Sequence, residues 1–179
     1  MSEPRRLPLK SIVIAGRHGA NTALPGVTLR IVHPVFLVSV IARKGQADKV
    51  RTALEGAGAA RVMWAGPDQY FVQSDTDMVG ALTERLGKSA SIIDQSHGRV
   101  VIELSGPRVR DLLAKGSPVD VHSDQFPIGK SALTQMAHVS VHLTRTAEDV
   151  FILSLFRGFS ESFWEWLQTA SAEFGYSVI

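Results

Sequence analysis

Several stretches of this chain hold residue types that do chemistry in proteins. Gly129-Lys130-Ser131, within FPIGKSALTQ, ends like a phosphate-binding loop. The full loop, G-x-x-x-x-G-K-[ST], curls successive backbone N–H groups around phosphate oxygens and leads into a helix. Here Asp124 stands where the first glycine belongs, and Pro127 removes a donor from the cradle. A carboxylate at that point repels phosphate, and the residues from Ala132 onward read as strand. The stretch is therefore expected to be a turn entering a strand.

His138 and His142, in HVSVH, would converge on one metal ion from a helix. The alternation of Val139, Ser140 and Val141 predicts a strand instead. At about 3.3 Å per residue the two rings would then lie about 13 Å apart, too far for one ion with bonds of about 2 Å. Both are read as strand-surface histidines. GAGAAR, from Gly56 to Arg61, lacks the last glycine of a dinucleotide fingerprint and follows a helix instead of a strand, so it is read as a cap and turn. Ser96 and His97 are neighbours whose side chains point to opposite faces of an extended chain, and G-x-S-x-G does not occur. No pair of carboxylates stands out as an acid/base couple.

The elements that must position these residues follow from composition and pattern. At 179 residues, with 45% apolar and 20% charged, the chain suits one sizeable globular domain or two small halves sharing a core. A net charge of +2 without Lys/Arg clusters gives no basic face, so no nucleic-acid partner is expected. The absence of cysteine removes disulfides, thiolate metal sites and Cys nucleophiles, and fits a cytoplasmic protein. The longest apolar run, Val32 to Ala42, is broken by His33, Pro34 and Ser39 and falls short of the roughly 18 residues that span a bilayer, so no membrane partner is expected. Arg5-Arg6 is followed by too short an apolar run for an export signal.

Residues 1–25, rich in Pro and Gly, read as an extended arm with one short strand at Ser11 to Ile14. Residues 26–97 then predict βαββαβ: strands at 35–42, 61–65, 69–73 and 91–94, helices at 46–55 and 76–86, with Gly66-Pro67-Asp68 as a hairpin turn. Residues 98–179 predict the same order again. A strand at 99–104 precedes a helix opened by Ser105 or Gly106 with the stripe Val109, Leu112 and Leu113, and Gly116 as its stop. Strands at 132–143 and 150–156, a helix from Ser160 and a closing strand at 176–179 complete it. The expectation is an α+β fold of duplicated ferredoxin-like halves, forming one compact domain. In the last helix Trp164 and Trp166 flank the stripe Phe163, Leu167 and Ala170. They either close the edge of the core or dock a partner, and they are the candidate partner-interface residues.

ELSGPRVRDLLAKGSPVD (103–120), SFWEWLQTASAEFG (162–175) and MWAGPDQYFV (63–72) resemble the gamma subunit family of heterotetrameric sarcosine oxidase, over about residues 27–175. More distantly, both halves resemble the folate-binding fold of the glycine-cleavage T-protein and other aminomethyltransferases. The resemblance implies a non-catalytic structural subunit of a cytoplasmic complex that oxidatively demethylates sarcosine to glycine, with alpha, beta and delta subunits as partners. It implies no cofactor on this chain, with FAD, FMN, NAD, tetrahydrofolate and zinc held on the other subunits. The T-protein relatives carry a glycine-rich hairpin with paired aspartates, where this chain reads TQMAHVSVHLTRT without glycines or acids. Asp120 falls near an acidic residue of the aminomethyltransferases and is the single candidate catalytic residue, against its reading as a turn cap. Two rivals remain: a stand-alone folate-dependent aminomethyltransferase-like protein using Asp120, and the accessory subunit of an oxidase for another N-methyl amino acid.

Overall fold

The computed structural model describes residues 9–33, 35–56 and 60–179, in two units: residues to His33 together with Arg99–Ile179, and residues from Pro34 to Gly98. Residues 1–8 of the expected arm, with Arg5-Arg6, and the middle of GAGAAR (57–59) lie outside the described residues. In chain order the strands are β1 (Gly16–His18), β2 (Val27–Ile31), β3 (Phe36–Ala42), β4 (Arg61–Gly66), β5 (Gln69–Ser74), β6 (Ala90–Asp94), β7 (Arg99–Ser105), β8 (Ser131–Met136), β9 (Val139–Ala147), β10 (Val150–Phe156) and β11 (Tyr176–Val178). The helices are α1 (Ala47–Glu55), α2 (Val79–Leu86), α3 (Val109–Gly116) and α4 (Ser160–Ser171), with short 3-10 turns at Arg157–Phe159 and Ala172–Phe174.

The unit of residues 34–98 follows its pattern closely. Its elements run β3-α1-β4-β5-α2-β6, and its sheet has the order β4-β5-β3-β6 with every neighbour antiparallel, the ferredoxin-like arrangement. Val50 and Leu54 of α1 and Leu82 and Leu86 of α2 bury their stripes on Val38, Val40 and Val72. α2 begins three residues later than its periodicity suggests, because Asp77 Oδ1 accepts the N–H of Val79 at 2.9 Å and fixes the entry turn.

The other unit is larger than expected. Its sheet has the order β1-β11-β2-β7-β10-β9-β8. Without β1, β2 and β8, this is again a ferredoxin-like order, β11-β7-β10-β9, carried on β7-α3-β9-β10-α4-β11. β2 is inserted between β7, its antiparallel neighbour, and β11, its parallel neighbour. Residues 26–33 therefore belong to this unit and not to the first half, and the strand at 27–31 was not among the expected elements. Its alternation buries Val27 and Leu29 with the core while Thr28 and Arg30 take the other face. Arg30 donates two hydrogen bonds to Glu103 on β7, at 3.0 and 2.7 Å, which raises the guanidinium pKa above its usual value.

The arm also differs. Residues 9–12 form a turn in which the N–H groups of Ile12 and Val13 share Leu9 O. The strand comes later, at 16–18, paired with β11. The expected strand 132–143 is a hairpin of two strands, β8 and β9. Met136 faces Val139 across the loop Ala137-His138, whose φ values of 49° and 66° are those of a type I′ turn. Lastly, α3 starts at Val109, later than Gly106, because residues 106–108 tie the strand ends together. Gly106 N–H donates to Asp149 O and Arg108 N–H to Gly26 O. Gly106, at φ 118°, lies so close to Gly26 that a Cβ would sit 2.6 Å from its carbonyl oxygen.

The core of this unit is continuous. Val109, Leu112 and Leu113 of α3 and Phe163, Trp164, Leu167 and Ala170 of α4 cover Ile102, Leu104, Val141, Leu143, Phe151 and Leu153 of the sheet. A fully buried aromatic or aliphatic side chain of this kind contributes about 1.5–3 kcal/mol by leaving water.

Candidate functional site

The residues singled out for chemistry are spent on local structure. Gly129-Lys130-Ser131 is a turn entering β8. Gly129 N–H donates to Arg145 O at 2.8 Å, Lys130 Nζ to Gln125 O at 2.6 Å, and the Ser131 and Thr144 hydroxyls lie 2.8 Å apart. Gly129 takes φ 88°, which frees the chain to turn here. His138 is not on a strand: it occupies the second position of the β8–β9 turn, exposed, while His142 is buried within β9 opposite Leu133. Among the described residues no three His, Asp or Glu side chains are grouped to hold a metal. Ser96 Oγ donates to Asp94 Oδ1 at 2.5 Å and accepts the N–H of Leu37, so its hydroxyl closes the end of β6.

Asp120 is exposed, and its Oδ1 accepts the N–H of His122 at 2.9 Å. It caps its own turn. The loop that carries it is pinned by two arginines. Arg145, 3% exposed, donates to the carbonyls of Phe126 (3.0 Å), Ala147 (3.2 Å) and Glu148 (2.9 Å) and pairs with the Glu148 carboxylate. Arg110 donates to Val121 O, Glu148 O and the Asp149 carboxylate. Charge-assisted bonds to several carbonyls at once make this loop and the β9–β10 turn a single rigid piece.

Trp164 is 0% exposed and belongs to the core, so of its two expected roles, core or docking, the structure gives it the first. Trp166 is half-buried. Its ring rests on Gly116, where a Cβ would come within 2.5 Å of ring carbons, and it lies 5.7 Å centroid to centroid from Phe163.

A concavity of this unit lies elsewhere, on the sheet face away from α3 and α4. It is a bowl of about 460 Å3 on the ends of β7, β8, β9 and β10. Cross-strand pairing builds it: Arg99 faces Phe156, Gln135 faces Ser140 and Leu133 faces His142. Leu133 and Phe156 are 53% and 47% exposed, unusual for large apolar side chains sharing one cavity. The Arg99 guanidinium lies over the Phe156 ring, 4.3 Å from its centroid, and burial pushes its pKa below the usual arginine range. Among the described residues no carboxylate lines the bowl. Its residues are scattered in sequence and make no motif.

Residues 30–173 match the model of the sarcosine oxidase, gamma subunit family. The sarcosine oxidase subunit gamma of an Arthrobacter species is 34% identical over 131 residues, covering 70% of this chain and 64% of that protein. Its counterpart from Corynebacterium sp. strain U-96 is 30% identical over 121 residues, covering 66% of this chain and 59% of that protein. The matched segments thus span somewhat less than two thirds of these curated relatives. Among solved structures, heterotetrameric sarcosine oxidase from Corynebacterium sp. U-96, in complex with pyrrole 2-carboxylate, superposes with a TM-score of 0.74 at 25% identity, covering 93% of this chain and 90% of that chain. Aminomethyltransferase T of the glycine cleavage system from Bartonella henselae superposes with a TM-score of 0.61 at 16% identity, covering 86% of this chain and 48% of that chain, a likeness of fold.

Proposed function

The chain belongs to the sarcosine oxidase gamma subunit family, and on that premise we propose that it is a non-catalytic subunit of a complex that oxidises sarcosine to glycine. Its role is positional. A folded chain of this kind buries surface on the catalytic subunits and stabilises their assembled form by mass action. Alpha, beta and delta subunits are its partners, in the cytoplasm, and FAD, FMN, NAD, tetrahydrofolate and zinc are held by those subunits. Docking of this kind buries on the order of 1,600 Å² in total.

The observation that supports this reading over independent folate chemistry is the state of Asp120. Its carboxylate is exposed and engaged by the backbone of its own turn. A general acid or base needs a carboxyl within reach of a bound substrate, in surroundings that tune its proton affinity. The β8–β9 hairpin, where the T-protein relatives carry glycines and aspartates, turns here on Ala137 and His138. The chain purified alone is expected to be colourless and without sarcosine turnover. Flavin bound to the isolated chain, or turnover by it, would overturn the proposal.

A further inference from the structure

A small niche of about 130 Å3 lies at the outer edge of the large sheet, where the end of β1 meets the start of β11. Arg17, His18, Gly19, Asn21, Gly175 and Tyr176 line it. Two glycines in the left-handed region build it. Gly19, at φ 77°, passes so close to Ala172 that a Cβ would sit 2.5 Å from its carbonyl oxygen. Gly175, at φ 60°, passes equally close to Thr22 Oγ1. Ala20 N–H donates to Ala172 O at 2.7 Å and ties the two passes of the chain together. The backbone thus shapes the niche before any ligand arrives.

What the niche leaves unspent is a set of donors. Among the described residues the N–H groups of Gly19 and Asn21 have no acceptor. Arg17 donates from Nη2 to Thr22 O at 2.6 Å and to Ala23 O at 3.4 Å, which fixes its guanidinium and leaves Nε and Nη1 available. His18 is held in place by Nε2, which donates to Ile14 O at 3.0 Å, and by stacking on Tyr176 with ring centroids 5.2 Å apart. Among the described residues no carboxylate lines the niche, and none pairs with Arg17. Unpaired backbone N–H groups beside a fixed guanidinium are the donor set of an oxyanion site. We propose that this niche binds a small oxyanion of the class of inorganic phosphate or sulfate.

Size and charge narrow the ligand. Sites for whole nucleotides or drug-sized molecules occupy roughly 300–1,000 Å3, so this one takes a single ion or one phosphate group. A zwitterionic amino acid would find a partner for its carboxylate and none for its ammonium. The inference concerns the chain alone and does not rest on the assembly reading above.

The test titrates inorganic phosphate into the full isolated chain, labelled with 15N, with chloride holding the ionic strength constant. The amide resonances of Gly19 and Asn21 should shift to saturation. Asn21 is exposed, so Asn21→Asp sets a negative charge at the niche and should abolish the saturable shift at Gly19 while leaving the thermal midpoint unchanged. Arg17→Gln should weaken the affinity by about tenfold or more. Since Arg17 also holds its loop, Asn21→Asp decides the matter if Arg17→Gln loosens that loop. Glycerol phosphate separates the two sources of the group: tighter binding than inorganic phosphate marks a monoester, weaker binding a free ion, and either supports the oxyanion assignment. Shifts that never saturate, that chloride alone reproduces, or that survive in Asn21→Asp would overturn it and leave the assembly reading untouched.

Discussion

The ring of Trp166 rests on Gly116, the last residue of α3, so closely that a methyl group there would fall 2.5 Å from Cη2 and Cζ2 of the indole. Gly116 is thus less a stop signal than a seat, and it lets α4 approach α3. Lys115, one residue earlier, fastens the same junction by donating to Ala170 O at 2.6 Å and lying over the Phe174 ring. Gly116→Ala gains helix propensity but overpacks the ring, which Phe163 backs, so it should destabilise by about 1–3 kcal/mol. In a Trp166→Ala background the same substitution should cost far less, a coupling that a double-mutant cycle of urea melts would read.

The β8–β9 turn places two residues with side chains, Ala137 and His138, at positive φ. Each pays a conformational cost that Asn or Gly avoids. Replacing the pair by Asn-Gly should therefore raise stability by about 1–2 kcal/mol without altering the hairpin register, measurable as a higher thermal midpoint.

Arg145 donates to the backbone carbonyls of Ser123, Phe126, Ala147 and Glu148 from a buried position, and Glu148 answers it from the surface. Arg145→Met removes the Arg145 donor from these carbonyls, of which Glu148 O keeps Arg110, and should cost about 1–3 kcal/mol. Glu148→Ala should cost less than about 1 kcal/mol, since that carboxylate is mostly solvated. Faster proteolysis within 117–130 should accompany the first substitution and not the second.

Asp120 supplies a turn, so Asp120→Ala should lower stability by about 1 kcal/mol or less. It should leave sarcosine turnover by the assembled complex unchanged. Tight tetrahydrofolate binding by the isolated chain, abolished by Asp120→Ala, would instead favour the aminomethyltransferase-like alternative.

The unit of residues 34–98 was legible because its signals are local. Apolar periods of 3.6 and 2 are separated by punctuation such as Gly66-Pro67-Asp68, and every expected element forms, with only the start of α2 displaced by three residues. The other unit was only partly so. Alternation in 27–31 says a strand can form, yet nothing local says that it slots between β7 and β11. The Ala137-His138 turn hid because it lacks the Asn-Gly chemistry that announces a type I′ hairpin, and two strands read as one. Helical spacing put Trp164 on the flank of its stripe, but the core wraps far enough around α4 to enclose it. The bowl was the least visible of all. Arg99, Leu133, His142 and Phe156 meet only through cross-strand register, which no sequence window contains.

The central claim is that this chain holds catalytic subunits together and does no chemistry itself. Expressing those subunits with and without it, and following the flavin absorbance of the complex by size exclusion, tests that most directly. The account predicts one assembled, sarcosine-oxidising species only when the chain is present, and a colourless, inactive chain when it is alone. A fully assembled and equally active oxidase formed in its absence would contradict it.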